Sequence, residues 1–141
     1  MSNRENLPKP YEITFEHRQH YLYVYVTGDQ DSYEVSRSYW LEVAEECRKT
    51  GYKKVLIDED IENMVSIAEV YKLASELPQM GFQGVRVAFY DRFADHADLN
   101  QFGELVATNR GLLARVFNDP QKAEDWLLHK SDPDFIPKKF E

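Results

Sequence analysis

A chain of 141 residues with 25 acidic and 17 basic side chains, net charge −8, has the length of one domain and repels phosphate backbones and anionic membrane surfaces alike. Hydrophobic residues make up 43% and aromatic residues 13%, which argues for a packed core and against disorder along the whole chain. One cysteine, Cys47, excludes an intrachain disulfide and a Cys-rich metal site. No apolar run approaches the ~18 residues of a bilayer span, and Met1-Ser2-Asn3-Arg4-Glu5-Asn6 lacks the apolar centre of a signal peptide. The expectation is a soluble, cytoplasmic protein that binds no nucleic acid and spans no membrane.

Residues 1–10, polar and carrying Pro8 and Pro10, read as a loose arm. Tyr11 to Glu16 alternates apolar and polar residues and predicts a strand. His17-Arg18-Gln19-His20 is a polar turn, Tyr21 to Val26 a second strand, and the two form an antiparallel hairpin closed by Gly28. A helix follows, with Asp31 or Ser32 as N-cap and Glu34 placed for a capping box from Asp31. Its apolar stripe is Val35, Tyr39, Trp40, Val43, Ala44 and Cys47, so Cys47 reads as a buried small hydrophobe, and Gly51 closes the helix in the left-handed conformation.

Lys54 to Asp58 predicts a short strand. Ser66-x-x-Glu69 is a capping box for a second helix striped by Ile67, Val70, Tyr71, Ala74 and Leu77 and ended by Pro78 and Gly81. Val85 to Tyr90 is the next strand, and Leu99, Phe102, Leu105 and Val106 mark a third helix closing at Gly111. Leu113 to Phe117 is a strand, and Asp119-Pro120 opens a fourth helix with Ala123, Trp126 and Leu127 on its stripe and His129 at its end. Residues 131–141, with Pro133 and Pro137, read as an extended tail, leaving 11–130 as the domain. The order ββαβαβαβα predicts an α/β fold: a mixed sheet of about five strands, an antiparallel hairpin then parallel strands, with four helices.

The strands also separate two faces. Leu22, Val24 and Val26 oppose Tyr21, Tyr23 and Tyr25, while Val85, Val87 and Phe89 oppose Arg86, Ala88 and Tyr90, and Arg115 sits inside the last strand. This predicts helices on one face and a partly open second face. Tyr21, Tyr23, Tyr25, Arg86, Tyr90 and Arg115 are then candidates for a partner or ligand surface, because Tyr and Arg are enriched in interfaces. The alternative is a solvated face shielded by a terminal arm.

The hairpin followed by three βα units resembles the SpoIIAA-like proteins, relatives of STAS and CRAL-TRIO domains, over roughly Tyr11 to His129. The resemblance rests on the strands Lys54–Asp58 and Val85–Asp91, on the Asn109-Arg110-Gly111 helix end, on Arg115-Val116-Phe117, and on the Asp119-capped last helix ending in Trp126-Leu127. It implies a mixed sheet wound as a βα superhelix. STAS-type antagonists are phosphorylated on a serine at the start of the second helix, which makes Ser66 the candidate phosphoacceptor. Their Asp-Ser-Ser-Gly motif is replaced here by Asn63-Met64-Val65-Ser66, and the plain reading of Ser66 is a helix cap. The CRAL-TRIO relationship implies a carrier or sensor of a small hydrophobic, lipid-like ligand, whereas Trp40, Phe102 and Trp126 on helical stripes read first as core.

Acidic residues gather after the parallel strands: Asp58, Glu59 and Asp60 after one, Asp91 after the next, then Asp95, His96 and Asp98. Open α/β folds place sites at these carboxyl ends. Asp58, Asp91, Asp95, His96 and Asp98 are therefore candidates for an ion-binding or functional loop, although Asp98 serves equally as an N-cap. No Gly-rich phosphate loop, nucleophile elbow or zinc-protease motif is present. His17 and His20 read as solvated turn residues. The sequence favours a non-catalytic regulatory or interaction domain with a protein partner or self-association and no cofactor. The alternatives are a small-hydrophobe carrier and a weak metal-dependent enzyme.

Overall fold

The computed structural model describes residues 9–128; the expected arm up to residue 8, His129 and the C-terminal tail lie outside the described residues. Strands β1 (Tyr11–His17), β2 (Leu22–Gly28), β3 (Lys54–Asp60), β4 (Arg86–Asp91) and β5 (Leu113–Phe117) form one sheet in the order β1-β2-β3-β4-β5. β1 runs antiparallel to β2, and the other neighbours are parallel. Helices α1 (Tyr33–Thr50), α2 (Ile67–Glu76) and α3 (Ala97–Asn109) connect the parallel strands, and α4 (Pro120–Leu128) follows β5. The expected α/β architecture, a mixed five-stranded sheet with four helices among the described residues, is what forms.

Strand order dictates where the helices go. Each step from β2 to β5 moves one strand in the same direction, so right-handed crossovers place α1, α2 and α3 on one face. The larger core lies there: Leu22, Val24, Val26, Val55, Ile57 and Val87 from the strands meet Tyr39, Trp40 and Val43 of α1. Trp40 anchors it, edge-on to Phe82 at 5.7 Å and stacked on Phe89 at 5.8 Å between ring centroids. Every member of the predicted α1 stripe is buried, Cys47 included, and burial pushes its thiol up to about 11. Gly51 ends α1 at φ 83°, as its position requires.

Four expectations need correction. The second face is not left to solvent or to a terminal arm, because α4 lies across it. Tyr21, Leu56 and Ala88 form a smaller core there with Ala123 and Leu127. The crossover rule does not reach α4, since no strand follows it within the described residues. Secondly, of the two cap candidates Ser32 caps α1 by accepting the Val35 N–H, and Asp31, expected to open a capping box with Glu34, accepts instead from the Ser32 N–H and the Ser36 hydroxyl. Thirdly, Ile67, Tyr71 and Leu105 fall on their predicted stripes yet are 58%, 49% and 58% exposed. The buried side of α2 and α3 is narrower than the stripe: Val70 and Ala74, then Val106 and Ala107. Lastly, β3 runs on past Asp58 to Asp60 and β4 is set one position later than expected, ending on Asp91, so Glu59 and Asp91 join Asp58 inside strands, and all three are buried.

Candidate functional site

Alternation along the lengthened strands explains how acids become buried. Val55, Ile57 and Glu59 point toward α1–α3, and Asp91 continues the parity of Val87 and Phe89 on the neighbouring strand. Glu59 and Asp91 are register partners, so both carboxyls stand side by side at the carboxyl end of the sheet. A 3-10 turn, Ala94–His96, then brings the His96 ring back over Asp91.

Each group has defined partners. His96 Nε2 lies 2.7 Å from the Glu62 carbonyl, which can only accept, so Nε2 carries hydrogen. His96 Nδ1 lies 2.9 Å from Asp91 Oδ2. That oxygen also accepts from Asn100 Nδ2 at 2.8 Å, and Asp91 Oδ1 accepts from the Phe93 N–H at 2.9 Å. With Nε2–H committed to the Glu62 carbonyl, His96 donates from Nδ1 to Asp91 as well when it is the imidazolium. Burial works against that cation, but the bond to Asp91 and its charge prevail, and the His96 pKa is raised.

Glu59 has the opposite character. Burial foremost, then the charges of Asp31 and Asp91, holds it well above the ordinary carboxyl range and favours the neutral acid. The buried Tyr39 hydroxyl of α1 donates to it. Asp31 is raised as well, chiefly by burial, although Ser36 and the Ser32 N–H stabilise its charge.

This polar network borders two spaces. A cavity of about 90 Å³ lies between the sheet and α1–α3, walled by apolar groups such as Trp40, Leu73, Ala107 and Val116, with Glu59, Asp31 and Asn100 at its polar end. A second, wetter cavity of about 360 Å³ touches Asp91 and Asn100 and extends to Arg115 and Lys122.

The structure distributes the remaining candidates differently. Asp58 and Asp60 face the α4 side, where Tyr23 donates to Asp58 and Tyr25 donates to Asp60 at 2.5 Å. Arg92 grips Asp58 with two bonds of 2.9 Å and stands 5.1 Å from the Tyr25 ring centroid; Arg18 lies 4.1 Å from that of Tyr23. Tyr21 donates to Glu124 of α4, and Arg86 lies 4.1 Å from the Trp126 ring centroid. The Tyr–Arg surface is thus largely consumed by its own contacts. Tyr90 packs beside the smaller core, and Arg115, exposed, stands 5.8 Å from the Phe117 ring centroid.

Of the acidic loop only Asp91 and His96 come together; Asp95 and Asp98 point to solvent, and Asp98 does not cap α3, whose N-cap is His96. His17 ends β1 and binds Glu46 at 2.7 Å, and His20 is exposed. Glu59 was read as a loop residue, and Tyr39, Asp31 and Asn100 carry no sequence signal beyond helix and cap patterning. Extending the Val55, Ile57 parity by two would have found Glu59.

Ser66 is the N-cap of α2, with a complete capping box to Glu69. Its hydroxyl lies 3.1 Å from the Glu69 carboxylate, so a phosphate there would meet a like charge. Ser66→Ala is expected to cost about 1 kcal/mol in urea unfolding, the worth of a cap. A loss under a few tenths would show that the cap does not hold α2.

No protein-family model matches the chain, and no curated protein matches it. Among solved structures it is similar to an uncharacterized protein from the DUF3478 family with a SpoIIAA-like fold from Shewanella loihica PV-4. The two are 19% identical with a TM-score of 0.49, over 83% of this chain and 93% of that one.

Proposed function

We propose that the chain is a non-catalytic binding domain that takes a small, mostly apolar molecule into the space between α1–α3 and the sheet. The observation that carries this reading is the cavity of about 90 Å³ with apolar walls and one carboxyl-rich end. An engineered apolar cavity of ~150 Å³ takes up benzene, so the space suits a ligand of a few heavy atoms. With Glu59, Asp31 and Asn100 at the polar end, the ligand presents a hydrogen-bond donor there, a hydroxyl or an ammonium.

The test is Ala107→Leu, which adds three carbons to the wall at a residue 2% exposed. Cavity filling should stabilise the fold by roughly 0.5–2 kcal/mol. The same change should abolish the thermal shift given by small alcohols and alkylamines. Unchanged binding of those probes in the variant would place them elsewhere and sink the reading. A second reading, contact with a protein partner, draws on the exposure of Ile67, Tyr71 and Leu105 on α2 and α3.

A further inference from the structure

We propose that Glu59, Asp91 and His96 form a binding site for one divalent transition-metal ion, independent of whether the neighbouring cavity takes a ligand. One ligand atom from each residue lies within 4.8 Å of the other two, and all three residues are buried. The donor set is one imidazole and two carboxylates. That mixture suits Zn²⁺ or Mn²⁺ better than Mg²⁺ or Ca²⁺, which take oxygen ligands almost exclusively.

Three further features favour an ion. The first is the orientation of His96. Its Nε2–H is committed to the Glu62 main-chain carbonyl at 2.7 Å, which turns Nδ1 inward. Metal-bound imidazoles are commonly held this way, by the other ring nitrogen donating to a carbonyl. The second is the spacing of His96 Nδ1 and Asp91 Oδ2, which face each other at 2.9 Å. With metal–ligand bonds of ~2.0–2.1 Å, adjacent donors sit about 3 Å apart around an ion, so little movement is needed for these two to bind one. The third is outer support and access. Asn100 and the Phe93 N–H hold Asp91, Tyr39 holds Glu59, and cavities reach the cluster from the Glu59 side and from the Asp91 side.

Chelator-treated protein is to be titrated with ZnCl₂ and MnCl₂ by calorimetry, with bound metal counted after gel filtration. The expected result is one equivalent of at least one ion bound in the micromolar range or tighter. Glu59→Gln should weaken it at least tenfold and Asp91→Asn more, while Asp95→Asn, an exposed neighbour, should leave it unchanged. Glu59→Gln is the decisive variant because the amide keeps the side chain's shape and still accepts from the Tyr39 hydroxyl, so the fold, checked by circular dichroism, should survive. A folded protein that binds neither ion stoichiometrically overturns the proposal. So does binding that Glu59→Gln leaves unaltered. In either case the cavity reading, tested by Ala107→Leu without metal, stands or falls separately.

Discussion

His96→Ala should destabilise chelator-treated protein by about 3–5 kcal/mol, because removing one partner of a buried pair strands the other. Both side chains are nearly inaccessible, at 4% for His96 and 2% for Asp91. Without the imidazole, Asp91 loses one of its donors, and the Glu62 carbonyl loses its own. For a domain of this size the fall in Tm should be roughly 10–20 °C.

The effect depends on pH with a definite sign. The folded-state pKa of His96 is raised, so the stability it contributes is fully present below the unfolded value, about 6.5. That contribution is lost as pH climbs through the folded value. The gap between parent and variant, measured by urea unfolding, should therefore be widest in mildly acidic buffer and narrow toward alkaline pH. A gap under 1 kcal/mol at pH 6, or one that widens with pH, would show that His96 is not held as the cation.

Much of the fold was legible because its local rules agree. The α1 stripe, the Gly51 stop, the Ser66–Glu69 box and the alternation in β2 each pointed to the element that forms. The misreadings share a cause, which is that burial of polar residues is decided by distant partners. Asp58-Glu59-Asp60 reads as the acidic end of a strand until Tyr39, 20 positions before Glu59, and Tyr23 and Tyr25, each 35 positions before its aspartate, supply hydrogen bonds. Asp91, Asp95, His96 and Asp98 stand out as one polar group in the sequence, and separating Asp91 and His96 from the other two required the 3-10 turn, with His96 buried and both Asp95 and Asp98 exposed. Helical stripes, likewise, fix a face without fixing its burial, as Ile67 and Leu105 show.

Leu127→Ala is expected to cost about 2–5 kcal/mol, the range for truncating a buried leucine. Its consequence should be confined to one part of the molecule. Leu127 is 0% exposed among Tyr21, Leu56, Ala88 and Ala123, and this small core is what holds α4. A helix of nine residues is not stable alone in water, so α4 is helical because it is docked. The remaining ties are polar: Tyr21 to Glu124 at 2.8 Å and Arg86 Nη2 to the Trp126 carbonyl at 2.9 Å. They lie at the rim and cannot replace the lost apolar contact. Amide exchange in residues 120–128 should accelerate while β2, β3 and α1 stay protected, and Trp126 emission should shift to the red, with a Trp40→Phe background isolating it. If exchange rises equally throughout, α4 unfolds only with the whole domain. The two cores would then be one cooperative unit, and the Tyr–Arg surface would have no separate route to exposure. Exchange confined to α4 would mean instead that undocking uncovers Tyr21, Leu56 and Ala88 while the Glu59–Asp91–His96 network on the opposite face remains intact.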